Sequence, residues 1–175
     1  AFSGLSVAGN GGSGLVDGVG SVTITGNGSK LLVLGTSSGI FVGENGKGTL
    51  NVTAGGHIET LDLLVGVNAG TVGTMTVSRA TVLLQGVDSD RTSTAPAATL
   101  AVGTAGTGKL TVSNSTIIID GTSEAGVFAV GSAVSGIGTA TISGSASQVK
   151  VIGGDGGVME VGAAGKGTLT IAGGA

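Results

Sequence analysis

This 175-residue sequence predicts an all-β fold, a right-handed parallel β-helix with three strands per coil and about six coils of about 30 residues. Three observations lead there. Thirty-eight residues are glycine, yet they are interleaved with Val, Leu, Ile and Thr, the residues that suit a pleated surface. A Val-Gly pair followed by a short glycine turn and an alternating strand recurs along the chain. Each recurrence carries three apolar stretches separated by turn signals.

The copies run from Val42-Gly43 to Val52, Val65-Gly66 to Val77, Val102-Gly103 to Val112, Val130-Gly131 to Ile142 and Val161-Gly162 to Ile171. The leading valines are 23, 37, 28 and 31 residues apart, inside the range of solenoid repeats. A weaker copy at the start has Val7 and Ala8 in place of Val-Gly and continues into Val22-Thr23-Ile24.

The first stretch of each copy alternates. Val22/Ile24, Leu50/Val52, Met75/Val77, Leu110/Val112, Ala140/Ile142 and Leu169/Ile171 point one way, and polar neighbours point the other. The second is Leu31/Val33, Val82/Leu84, Ile117/Ile119 and Val149/Val151, with none assigned in the 23-residue copy. The third ends at the Val-Gly: Leu5/Val7, Ile40/Val42, Leu63/Val65, Leu100/Val102, Phe128/Val130 and Met159/Val161. Its middle residue varies freely (Ser6, Phe41, Leu64, Ala101, Ala129, Glu160), as an outward position allows. Stacked coils then give an interior column Ile40, Leu63, Leu100, Phe128, Met159, all expected to be buried. Gly43, Gly66, Gly103, Gly131 and Gly162 share one place in the repeat, which predicts a corner of positive φ. Residues 1–175 read as a single β-helix segment, with the look of a portion of a longer surface protein.

Composition narrows the function. Only 10% of residues are charged, the net charge is −3, and Phe2, Phe41 and Phe128 are the only aromatics. That leaves no basic footprint and few stacking platforms for nucleic acid. Cysteine is absent, which excludes thiolate catalysis and Cys-based metal sites. No span of about 20 apolar residues occurs, so membrane insertion by this segment is not expected.

The units VGENGKGTLNVTAGG from Val42, VGTAGTGKLTVSNS from Val102 and VGAAGKGTLTIAGG from Val161 resemble the repeats of autotransporter passenger domains and haemagglutinin-type adhesins of Gram-negative bacteria. The similarity covers essentially the whole chain. It implies secretion, a place on the outer surface and a translocator barrel carried outside this segment. The partner so implied is a host or bacterial surface component, or the protein itself.

Short chemical motifs weigh little against chance in a chain so rich in glycine. Gly9 to Gly14 matches G-x-G-x-x-G with no helix to follow it. Gly103 to Lys109 starts like a phosphate-binding loop, but Leu110 stands where Ser or Thr would bind magnesium, and the segment enters a strand. Gly35 to Gly39 fits the nucleophile-elbow string, whose only possible histidine base is His57, read as an outward turn residue. No catalytic residue, cofactor or metal site is assigned. Asp88, Asp90, Asp120, Glu124 and Asp155 fall between second and third strands and read as a solvated acidic edge, with a calcium site or a polysaccharide-active site as the sharper alternatives. The 37-residue coil holds an insertion around Gln85 to Ala98, where Asp88, Asp90 and Arg91 mark a possible interaction loop.

The outward residues of the first strand form a ladder: Ser21/Thr23, Thr49/Asn51, Thr74/Thr76, Lys109/Thr111, Thr139/Thr141 and Thr168/Thr170. Thr-x-Thr ladders on β-solenoids resemble those of ice-binding proteins, a rival to the stalk or adhesin reading; Lys109 and Asn51 interrupt the array. The sequence therefore predicts a non-enzymatic, surface-displayed structural or adhesive stalk, with ice binding and a polysaccharide-active enzyme as alternatives. Uncapped first and last coils predict end-to-end or lateral self-association.

Overall fold

The computed structural model describes residues 3–9, 18–35, 38–85, 97–121, 124–154 and 156–175. These hold seventeen strands and no helix. The first coil comprises β1 (Ser3–Val7), β2 (Gly18–Thr25) and β3 (Lys30–Val33), and the second β4 (Ser38–Val42), β5 (Gly46–Thr53) and β6 (His57–Thr60). The third is β7 (Asp62–Val65), β8 (Val72–Ser78) and β9 (Thr81–Gln85), and the fourth β10 (Thr99–Val102), β11 (Thr107–Ser113) and β12 (Thr116–Asp120). The fifth is β13 (Gly126–Val130), β14 (Ile137–Ser143) and β15 (Gln148–Ile152), and the sixth has β16 (Gly157–Val161) and β17 (Lys166–Ala172).

Every coil contributes one strand to each of three parallel sheets, except the sixth, which contributes two. The alternating strands β2, β5, β8, β11, β14 and β17 form the first sheet, β3, β6, β9, β12 and β15 the second, and β1, β4, β7, β10, β13 and β16 the third. The chain is thus a parallel β-helix in which each strand pairs with its equivalent one coil on. No two strands consecutive in sequence are neighbours in a sheet.

The interior is what the alternation predicts. Leu50, Met75, Leu110 and Ala140 stack in one inner column and Val52, Val77, Val112 and Ile142 in the next, all buried. Ile40, Leu63, Leu100 and Phe128 form the corresponding column of the third sheet. Met159 pairs with Phe128 in register but is 48% exposed, against the expectation of burial. It belongs to the last coil, and only one face of that coil has a neighbour to pack on. Ile171, at the same level, is 58% exposed for the same reason.

Three further details depart from expectation. The 23-residue second coil does have a second strand, β6, whose inward residues are Ile58 and Thr60. Thr60 breaks the apolar pattern, and its hydroxyl donates to the Asp62 carbonyl at 3.2 Å, which makes a buried hydroxyl tolerable there. Ala101 and Ala129, outward in sense, are buried. Phe41, Leu64, Leu83 and Ile118 are half-buried, so among the outward apolar residues of these strands Leu32 is more open than they are.

The Val-Gly corner has the predicted geometry. Gly43, Gly66, Gly103, Gly131 and Gly162 have φ between +68° and +73°, and Ala8 takes the same role in the first coil at +62°. Each of the five glycine amides donates to the carbonyl of the valine one coil back, from Gly43 to Val7 (2.9 Å) through Gly162 to Val130 (2.7 Å). A Cβ on Gly103 would lie 2.4 Å from the Ile137 carbonyl of the following coil. Positive φ and this close backbone approach both demand glycine.

A second left-handed corner, unsignalled by any single residue type, follows the first sheet. Gly26, Ala54, Arg79, Asn114, Gly144 and Gly173 all have positive φ, and the amides of Ala54, Arg79 and Asn114 donate to Ser78, Ser113 and Ser143 of the next coil.

Candidate functional face

The first sheet offers the most regular outer surface. Its residues of one sense fill the core, so the period of two forces the others outward, and parallel pairing at about 4.8 Å per coil lines them up in columns. One column reads Ser21, Thr49, Thr74, Lys109, Thr139, Thr168, and the next Thr23, Asn51, Thr76, Thr111, Thr141, Thr170. The predicted ladder is therefore in register over all six coils, and Lys109 and Asn51 interrupt it where the sequence placed them.

Two flanking columns belong to the same face. Thr25, Thr53, Ser78, Ser113, Ser143 and Ala172 extend the hydroxyl field on one side. Their alternation with the core residues carried the signal. On the other side Val19, Lys47, Val72, Thr107, Ile137 and Lys166 mix apolar and charged groups.

The hydroxyls differ in their commitments. Thr53 donates to the Thr25 hydroxyl at 3.1 Å, an interaction along the column, and the Ser143 hydroxyl reaches the Val112 carbonyl at 3.4 Å. Among the described residues, the side chains of Thr49, Thr74, Thr76, Thr111, Thr139 and Thr141 make no hydrogen bond within the chain. Their donors and acceptors are turned to solvent and available to a ligand.

Charge is segregated. Lys47, Lys109 and Lys166 are exposed on this sheet, and none is ion-paired with a described residue. Strands β2, β5, β8, β11, β14 and β17 contain no Asp or Glu. Arg79 adds a further cation at the corner after β8. In a chain of net charge −3, the first sheet is the one whose described strands carry a net positive charge.

The remaining candidates are scattered. Asp88, Asp90 and Arg91 of the interaction loop, Pro96, and Asp155 lie outside the described residues. Asp120 ends β12 and Glu124 follows in the connection, and no group of three or more His, Asp or Glu side chains able to hold a metal occurs among the described residues. His57 is outward, as read, but opens strand β6 instead of lying in a turn. The serine at the nucleophile position of Gly35 to Gly39, Ser37, lies outside the described residues; beside it Ser38 is buried and its hydroxyl donates to the Val33 and Gly35 carbonyls, both at 3.0 Å. Gly103 to Lys109 runs into strand β11, with no helix to cradle a phosphate.

On the third sheet, a shallow cavity of about 130 Å³ is lined by Phe41, Glu44, Val67 and Asn68. Its polar rim is already engaged: Ser6 donates to Glu44, and Asn68 donates to the Glu44 carbonyl and the Asn45 side chain. Asp62, also outward on this sheet, has one buried carboxylate oxygen with no partner among the described residues. Burial raises its pKa above the ordinary value of 3.8, and hydrogen bonds from Thr99 oppose the rise.

Compared with protein-family models, with curated proteins and with solved structures, the chain matches none.

Proposed function

We propose that this chain is a structural and adhesive rod displayed on the outer surface of a Gram-negative bacterium, working through contacts on its outer faces and without catalytic chemistry. The observation that carries the reading is the in-register stack, which turns a repeat of small, weakly charged residues into long, regular faces. Such faces suit extended contact with another surface, whereas enzymes concentrate their chemistry in a concave site. The likeness of the repeat units to passenger-domain and haemagglutinin-type repeats supports the same setting.

Antibody raised against the purified chain should label intact source cells without permeabilisation, and beads coated with the chain should cluster or adhere to cells. Labelling that requires permeabilised cells would contradict the surface role. Inert beads would reduce the rod to a passive stalk.

The register of the Thr columns favours ice binding as a second reading. Thermal hysteresis in the unmodified protein, abolished by Thr139→Lys with Thr141→Lys while the fold persists, would establish it in place of the first. The adhesive rod predicts no hysteresis.

A further inference from the structure

We infer that the outer face of the first sheet binds a linear anionic polysaccharide, with Lys47, Lys109 and Lys166 taking its carboxylate or sulfate groups and the Thr columns taking its hydroxyls. The inference deepens the adhesive reading and rests on it for its biological setting.

Two independent features converge on this surface. The first is charge complementarity. Three lysines project from a sheet whose strands carry no acid, while Glu59, Asp62, Asp120 and Glu160 sit on strands of the other two sheets. The three are spaced along the rod. Lys47 is in the second coil, Lys109 in the fourth and Lys166 in the sixth, so successive cations are two coils, or about 10 Å, apart along the stack. Lys109 stands one column across from Lys47 and Lys166, and cations recurring in this way along the rod fit a polymer with anions along its length better than they fit a single small ion.

The second is hydrogen-bonding capacity. Between the lysines lie Thr49, Thr74, Thr76, Thr111, Thr139 and Thr141, whose hydroxyls have no partner within the described chain and can both donate and accept. Sugar hydroxyls offer the complementary set.

Nucleic acid fits the face less well. None of the three aromatic residues lies on these strands, so no base can stack there. Three lysines would also replace few of the counterions along a duplex. A second copy of this chain is the remaining occupant, with its third sheet, which carries Asp62 and Glu160, against these lysines.

The test is equilibrium binding of the purified full chain to alginate, dextran sulfate, neutral dextran and duplex DNA at low and at physiological salt, with sedimentation of the chain alone. Alginate or dextran sulfate, according to whether the face prefers carboxylate or sulfate, should bind at least about tenfold more tightly than neutral dextran and DNA, and more weakly as salt rises. The triple variant Lys47→Gln, Lys109→Gln, Lys166→Gln should lose about tenfold or more in affinity, while the second-sheet pair Lys30→Gln, Lys150→Gln stays within about twofold. Thr74→Val with Thr139→Val should weaken binding and leave its salt dependence in place. All these positions are outward, so each variant should keep the β-helix, which circular dichroism checks.

No binding to either anionic polymer, equal binding by neutral dextran, tighter binding of DNA, or an unaffected triple variant would each overturn the inference. So would lysine changes that abolish self-association alone. None of those results touches surface display, which cell labelling decides separately.

Discussion

Replacing Phe128 with alanine removes the largest fully buried side chain from the centre of the third sheet's inner column. Phe128 is 0% exposed and lies in register between Leu100 of the fourth coil and Met159 of the sixth. Losing the ring opens a cavity of about 100 Å³, which at about 24 cal/mol per Å³ costs about 2.4 kcal/mol, and the lost transfer free energy adds about 2 kcal/mol. Met159 is half-exposed and unbranched, so it can settle partly into the space, and the expected loss is about 3–4 kcal/mol. Urea denaturation followed by circular dichroism reads this as a lower midpoint at an unchanged slope. Met159→Ala is the matched control. It truncates the same column one coil further on, where the side chain is already half in water, and should cost under about 1.5 kcal/mol. A Phe128→Ala loss below about 1 kcal/mol, or equal losses at both positions, would refute the assigned column.

The other expectations concern the corners and one carboxylate. Gly103→Ala places a Cβ against the Ile137 carbonyl at φ +72°, so it should cost more than about 3 kcal/mol in the same denaturation assay. Ala54→Gly goes the other way: Ala54 is exposed at φ +52°, and relief of the left-handed strain should stabilise by about 0.5–1 kcal/mol. For Asp62, burial raises the folded pKa above the unfolded one, so the unfolded chain releases its proton first as pH rises. Stability therefore falls from about the ordinary carboxylate pKa up through the raised folded value and then levels off. Asp62→Asn should flatten that decline in a series of urea midpoints against pH, and an unchanged decline would assign it to other groups.

Fold and face were legible in the sequence to different degrees. The inner columns could be read because the period of two puts Leu50, Met75 and Leu110 on one side with nothing else competing for the core. The Val-Gly corner could be read because close backbone approach and positive φ both select the same residue. The second corner could not, since Ala54, Arg79 and Asn114 occupy a left-handed conformation that glycine would signal. Strand β6 was hidden by Thr60, a polar residue at an inward position, made acceptable by the Asp62 carbonyl that only the fold brings near. Met159 escapes the pattern, which gives a residue's direction but not whether another coil packs against it. The Thr columns were visible residue by residue. What the pattern alone left out was the gathering of Lys47, Lys109 and Lys166 on a sheet whose strands hold no acid, because charges distant in sequence share a face only once the register is known.

That register underlies the whole account, and a cysteine-free chain allows it to be measured directly. Thr111 and Thr141 are paired neighbours on adjacent coils, about 4.8 Å apart at Cα, whereas Thr111 and Thr170 are separated by two coils. Disulfides form across Cα separations of about 4.4–6.8 Å and not beyond about 7 Å. The variant Thr111→Cys with Thr141→Cys, oxidised at low concentration, should therefore close an intramolecular disulfide seen by non-reducing mass analysis, and Thr111→Cys with Thr170→Cys should not. Failure of the first pair, or efficient closure of the second, would contradict the in-register stack from which the hydroxyl and lysine face is built.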